Sequence, residues 1–195
     1  SVLFLPWHAY QPFEFTGGRT VATPASAFFA RPTLVSDAVE LPGLRTDSTS
    51  LRSAYVDQVV GTAGADALGP LLAPLGVEYV VVAATSADPD EAAWVAGQPE
   101  IEQVLATETM NVYRVDRVAI GRVGPEARSA DFDEAVLGYR DAGWGTEAVL
   151  PPGPAGKPTA PGSRSGGIER ISPTQWSVAA GDPGWAIIPE EWSSG

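Results

Sequence analysis

Val77-Glu78-Tyr79-Val80-Val81-Val82-Ala83-Ala84 decides the fold. Its core is β-branched, and successive residues are apolar, so an extended chain here has no face to give to water. That is the pattern of an inner strand covered on both sides. Upstream, Asp47-Ser48-Thr49-Ser50 offers caps for a helix in which Leu51, Tyr55, Val59 and Val60 recur at helical spacing, ending near Gly61 or Gly64. A second helix is expected over residues 65–75, broken or restarted at Pro70 and Pro74 and stopped by Gly76. Downstream, Ser86-Ala87-Asp88-Pro89-Asp90-Glu91 reads as a cap, an early proline and first-turn acids. They open a helix through Ala92, Trp94 and Val95, with a further turn expected through Ile101, Val104 and Leu105. Met110 to Val115 alternates as a strand, and Val118 to Val123 reads as another. The order helix, strand, helix, strand predicts an α/β domain of two or three layers with at least one right-handed crossover.

Moving outward, Val2 to Leu5 is a short apolar run closed by Pro6, the signature of a buried strand. Residues 11–25 carry Pro12, Gly17, Gly18 and Pro24 and read mostly as loop. Ala27-Phe28-Phe29-Ala30 is a small apolar patch, Thr33 to Val35 a short strand, and Asp37 to Gly43 a turn. The α/β domain is placed at residues 1–124. Residues 125–166 read as a connection with a short helix over Asp131 to Tyr139, because 12 of the 25 residues from Gly143 to Gly167 are Gly or Pro. Residues 167–195 have strand character at 167–171, 175–179 and 185–188, a small β unit that must pack on the first domain or await further strands. The chain opens inside a hydrophobic run without an initiator Met and stops soon after an apolar run, which reads as a segment cut from a larger protein.

The 195 residues carry 12 basic and 24 acidic side chains, a net charge of −12. Phosphate backbones and anionic lipid both need clustered cations, so the sign argues against either as a partner. Absence of cysteine excludes disulfides, thiolate zinc sites and cysteine nucleophiles. No apolar run approaches the roughly 20 residues of a membrane span, and no basic stretch precedes the opening run as in a signal peptide. Eleven arginines against one lysine, with abundant Ala, Gly and Pro, point to a GC-rich bacterial genome.

Three groups of residues invite a chemical reading. Pro6-Trp7-His8-Ala9-Tyr10 holds the single histidine between two aromatics, and Trp7, His8 and Tyr10, with Arg19, form a candidate glycan-binding set. Aromatic faces suit sugar rings, polar tips suit hydroxyls, and Arg19 can pair with an anion. As a general base His8 needs an orienting carboxylate, for which Glu14 and Asp37 are the candidates. The plainer account, a partly buried histidine satisfying backbone groups, is favoured. Asp88, Asp90 and Glu91 follow the strongest strand, where ligands of open α/β sheets collect, and are weak candidates for a divalent cation. Helix capping explains them more simply. Four of the six tryptophans, Trp144, Trp176, Trp185 and Trp192, crowd the C-terminal part, as a sugar platform or, more plainly, as core. Gly61-Thr62-Ala63-Gly64 lacks the spacing and the lysine of a phosphate-binding loop.

Several segments together resemble the soluble extracytoplasmic region of YfhO-like polytopic bacterial membrane proteins, which are glycosyltransferases of GT-C type or their relatives. Leu75-Gly76-Val77-Glu78-Tyr79-Val80-Val81-Val82 carries the likeness, with Val104 to Thr107, Asn111-Val112-Tyr113-Arg114-Val115, Gly184 to Gly195 and Val2 to Trp7. The resemblance implies a parent anchored in the bacterial cell membrane, whose transmembrane bundle is this segment's partner. It implies a polyprenyl-linked sugar as donor and a catalytic acid in the bundle, so no catalytic residue and no cofactor is assigned here. The leading expectation is a non-catalytic extracytoplasmic domain that positions a glycan acceptor or braces the bundle. The alternatives are a hydrolase or metal-dependent enzyme using His8 with Asp88 or Asp90, and a structural protein–protein module.

Overall fold

The computed structural model describes residues 1–62, 68–72, 75–84, 90–116, 122–124, 126–129, 147–150, 168–172, 175–178 and 185–187. The chain divides into two compact units, residues 1–69 with 77–117, and residues 70–76 with 118–195. It is an α/β protein organised on a five-stranded mixed sheet in the first unit.

In chain order the first unit runs β1 (Val2–Leu5), β2 (Tyr10–Pro12), a 3-10 turn (Glu14–Thr16), β3 (Thr20–Ala22), α1 (Ala25–Phe28) and β4 (Thr33–Leu34). There follow β5 (Glu40–Leu41), β6 (Leu44–Arg45), α2 (Leu51–Thr62), α3 (Leu68–Leu72), β7 (Tyr79–Ala83), α4 (Glu91–Ala96), β8 (Ile101–Ala106) and β9 (Met110–Val115). The unit boundary passes through α3. The main sheet has the order β4-β1-β7-β9-β8. β1 lies between two parallel neighbours, with Leu3 opposite Leu34 on one side and Val80 on the other. β9 closes antiparallel on β7, placing Val112 opposite Val81, and β8 forms the edge.

Alternation along these strands sorts two cores. Val2, Phe4 and Val81 cluster with Phe13 and Ala25, with Val21, Phe29, Tyr79, Ala83 and Met110 packed around them. This face is therefore covered by the β2–β3 hairpin and α1. On the opposite face point Leu3, Leu5, Val80, Val82 and Tyr113, all buried. Over it lies α4, to which Tyr113 Oη donates a hydrogen bond at the Ala92 carbonyl, 3.1 Å. Gln98, just past α4, accepts from the Leu68 backbone N–H at 3.1 Å, satisfying one of the orphan donors that open α3. The expected buried strands at Val2 to Leu5 and in the Val77 to Ala84 run are thus both present, side by side and parallel.

Several elements differ from expectation. The stretch read as loop over residues 11–25 holds the β2–β3 hairpin, whose connection places Gly17 and Gly18 at φ +64° and +78°, left-handed values that favour glycine. Asp37 to Gly43 extends into a second hairpin, β5–β6, turning at Gly43. Ile101, Val104 and Leu105 are not a helical turn. They lie on β8, which pairs with β9 through a register shift between Gln103 and Leu105. An edge strand also leaves Val104 and Leu105 exposed, so neither is a core position.

The second unit contains β10 (Arg122–Gly124), β11 (Glu126–Ser129), β12 (Glu147–Leu150), β13 (Ile168–Ser172), β14 (Gln175–Val178) and β15 (Trp185–Ile187). β13 and β14 form an antiparallel hairpin, β15 pairs antiparallel with β10, and β11 pairs parallel with β12. The last three strands are therefore not one sheet, since Trp185 to Ile187 finds its partner near residue 123. Strands β11 and β12 fall inside the Gly/Pro-rich stretch read as a connection. The helix expected over Asp131 to Tyr139 lies outside the described residues, as do Trp144 and Trp192.

Leu5, the last residue of β1 in the main sheet, is fully buried. Leu5→Ala is expected to lower unfolding free energy by about 2–5 kcal/mol. Leu44→Ala, at an exposed hairpin position, should change it by less than about 0.5 kcal/mol. Urea titration of the two variants checks the contrast.

Candidate functional site

β1, β4 and β7 are parallel, so their carboxyl ends share one edge of the sheet. The chain leaves β1 toward β4 on one side and returns past it to β7 on the other. β1 is thus a switch point, the position where open α/β sheets collect ligands. Two different environments meet this edge.

On the helical side the environment is polar. Trp7 follows β1, is buried, and donates Nε1–H to Asp57 Oδ1 of α2 at 2.6 Å. Asp57 Oδ2 accepts from the Ser48 hydroxyl, which lies 3.1 Å from the Ser53 hydroxyl. Beyond β4, Asp37 Oδ2 accepts from the backbone N–H groups of Thr49 and Ser50 at 3.2 and 3.0 Å and from Thr49 Oγ1 at 2.6 Å. Ser50 Oγ in turn accepts from the Ser53 N–H at 3.1 Å, the expected N-cap of α2. Burial pushes the Asp37 carboxyl up, but the hydrogen bonds from Thr49, Ser53 and Ser50 outweigh it and hold the group down to about 2. The network ties the exits of β1 and β4 to the first turns of α2.

His8 sits just beyond Trp7, and its Nδ1 pairs with Glu40 of β5, each side chain being 38% exposed. The carboxylate that meets His8 is thus neither Glu14 nor Asp37. Asp37 spends its oxygen on α2, and Glu14 lies on the far stretch of the β2–β3 hairpin. Tyr10 is half-buried on β2, whereas Arg19 is exposed beside Thr20. Because Tyr10 pairs with Ala22 and Pro12 with Thr20, His8 and Arg19 flank opposite ends of that hairpin. Of the four candidate glycan-binding residues, then, Trp7 is consumed by the core, His8 and Tyr10 are neighbours, and Arg19 stands apart. Asp90 occupies the N-cap position of α4 without a side-chain cap bond, and Glu91 lies in its first turn. Asp88 is outside the described residues, and among those described no group of three potential metal ligands converges.

On the other face the edge is apolar. A recess of about 390 Å³ is lined by Phe4, Phe13, Phe28, Phe29, Ala83 and Met110, with Glu14, Phe15 and Thr109 also on its wall. Neither Phe13-Glu14-Phe15 nor its meeting with Phe28-Phe29 was expected. The local signal was an alternating aromatic pair and an isolated apolar patch, which only the packing of the hairpin and α1 onto β1 joins. Glu40 gave no local signal at all.

No family model matches the chain, and no curated protein or solved structure matches it.

The depressed Asp37 value fixes a sign. The unfolded carboxyl titrates near about 4, so its stabilising bonds are fully present above that pH and are lost as pH falls through about 2. The stability gap between the wild type and Asp37→Asn should be flat from neutrality to about pH 4 and close toward pH 2. Urea titrations across that range measure it.

Proposed function

We propose that this chain is a non-catalytic extracytoplasmic domain of a membrane glycosyltransferase-like protein, positioning a glycan acceptor or bracing the membrane bundle. The resemblance of residues 2–7, 75–82, 104–107, 111–115 and 184–195 to such regions supports the setting. The observation that carries the non-catalytic part is the use made of the reactive side chains. Trp7, Ser48, Asp57 and Asp37 are joined in hydrogen bonds that hold β1 and β4 to α2, leaving them as struts. Beside this brace the sheet edge offers recesses and half-exposed polar tips, which suit binding.

A glycan acceptor would meet His8 and Tyr10, with Glu40 holding the imidazole in place. Contacts of this kind, made from one side on an open surface, give Kd values in the millimolar range, about −4 kcal/mol. Oligosaccharide titration followed by NMR is expected to move His8 and Tyr10 resonances with such affinity, and the chain alone is expected to turn over no glycoside. Trp7→Phe keeps the ring but loses the donor to Asp57. It should cost about 1–2 kcal/mol of stability and leave the glycan response unchanged, whereas a stacking role would leave stability intact.

The His8–Glu40 pair favours one second reading, a hydrolase with His8 as general base. Such an enzyme would convert substrate unaided, with turnover abolished by His8→Ala. That result would overturn the non-catalytic reading.

A further inference from the structure

Five phenylalanine rings on the hairpin side of the sheet form a branching chain of contacts. Phe4 is the base, with the rings of Phe13 and Phe29 centred 6.4 and 6.3 Å away. Phe15 stacks on Phe13 at 5.0 Å with 19° between planes, and Phe28 meets Phe29 edge-on at 5.0 Å. Phe4 and Phe13 are buried, but the two outer rings are 69% and 68% exposed. The arms enclose the recess of about 390 Å³, which falls within the range of small-molecule sites.

Exposed rings seated on buried Phe13 and half-buried Phe29 are preorganised, because a phenylalanine held by a neighbour has few rotamers left to lose on binding. The electrostatics narrow what they suit. Glu14 is the one charged residue on the described wall, and its carboxylate has no ion-pair or hydrogen-bond partner among the described residues. The chain around it carries a net charge of −12. An anionic group entering the recess would meet the Glu14 carboxylate at short range and be repelled. Sugar hydroxyls would leave their water for a wall that is mostly ring and methyl carbon, with only Glu14 and Thr109 to offer polar contacts.

We infer that this recess is a binding site for an aromatic small molecule that carries no anionic group, gripped between Phe15 and Phe28 over a floor of Phe4, Ala83 and Met110. The inference rests on reading the chain as a binding domain and adds to it a second ligand class, separate from the His8 surface.

Two probes with one ring skeleton test it on the intact chain. N-phenyl-1-naphthylamine is neutral, and 8-anilino-1-naphthalenesulfonate adds an anionic group. The neutral probe is expected to saturate a single site with enhanced, blue-shifted emission, and the sulfonate to bind at least about tenfold more weakly. Glu14→Gln should narrow that gap to about threefold or less. Phe15→Ser and Phe28→Ser, both at exposed positions, should each weaken the neutral probe by about tenfold with circular dichroism unchanged.

Failure of the neutral probe to saturate would overturn the inference, as would equal affinity for both probes or indifference to both serine variants. A dimer in sedimentation that Phe28→Ser dissolves would also overturn it, by making this face a contact between copies. If the neutral probe fails while oligosaccharide still moves the His8 and Tyr10 resonances, this inference alone falls. Turnover lost with His8→Ala sinks the non-catalytic reading and leaves the probe result standing.

Discussion

The structure depends on two short strands that have no face to spare for water. β1 and β7 lie side by side, and Leu3, Leu5, Val80, Val81 and Val82 are all buried. A sheet with two apolar faces is stable only when both are covered. The chain does this with unlike material: helix on one side, and a hairpin with one turn of helix on the other. Each parallel neighbour of β1 must be reached by a crossover, so the two coverings follow from the strand order. Removing volume from this pair is therefore felt on both sides at once.

The two coverings give the shared carboxyl edge a divided character. On the helical face, three carboxylate oxygens and several hydroxyls converge where strands end and α2 begins, because helix starts and strand exits both leave backbone groups in need of partners. Asp37 is held anionic by that need. On the hairpin face the rings of Phe4, Phe13 and Phe29 pack against the sheet, with Phe15 and Phe28 left outside. The histidine of the candidate glycan-binding set is engaged by a glutamate from a separate hairpin.

Much of the first unit was legible. Val2 to Leu5, Val77 to Ala84 and Met110 to Val115 announced strands through apolar and alternating pattern, and Ser50 with Leu51, Tyr55 and Val59 announced α2. The turn at Ile101, Val104 and Leu105 misled because an edge strand leaves Val104 and Leu105 exposed, so their spacing marks no buried helix face. The β2–β3 hairpin was hidden by Pro12 and the two glycines, which mark turns but not the strands beside them. Pairing of Trp185 to Ile187 with residues near Val123 joins segments about 60 residues apart, and no local pattern encodes such a choice of partner.

The amino-acid order by itself determined the main strands of the first unit, the helix α2, the α/β class and the net charge of −12, because these follow from nearest neighbours and from sums. Only the tertiary structure decided that Glu40 meets His8, that Asp57 takes up Trp7, and that five scattered phenylalanines surround one recess. Those are contacts between residues distant in the chain, and they exist only once β1 has been given neighbours on both sides.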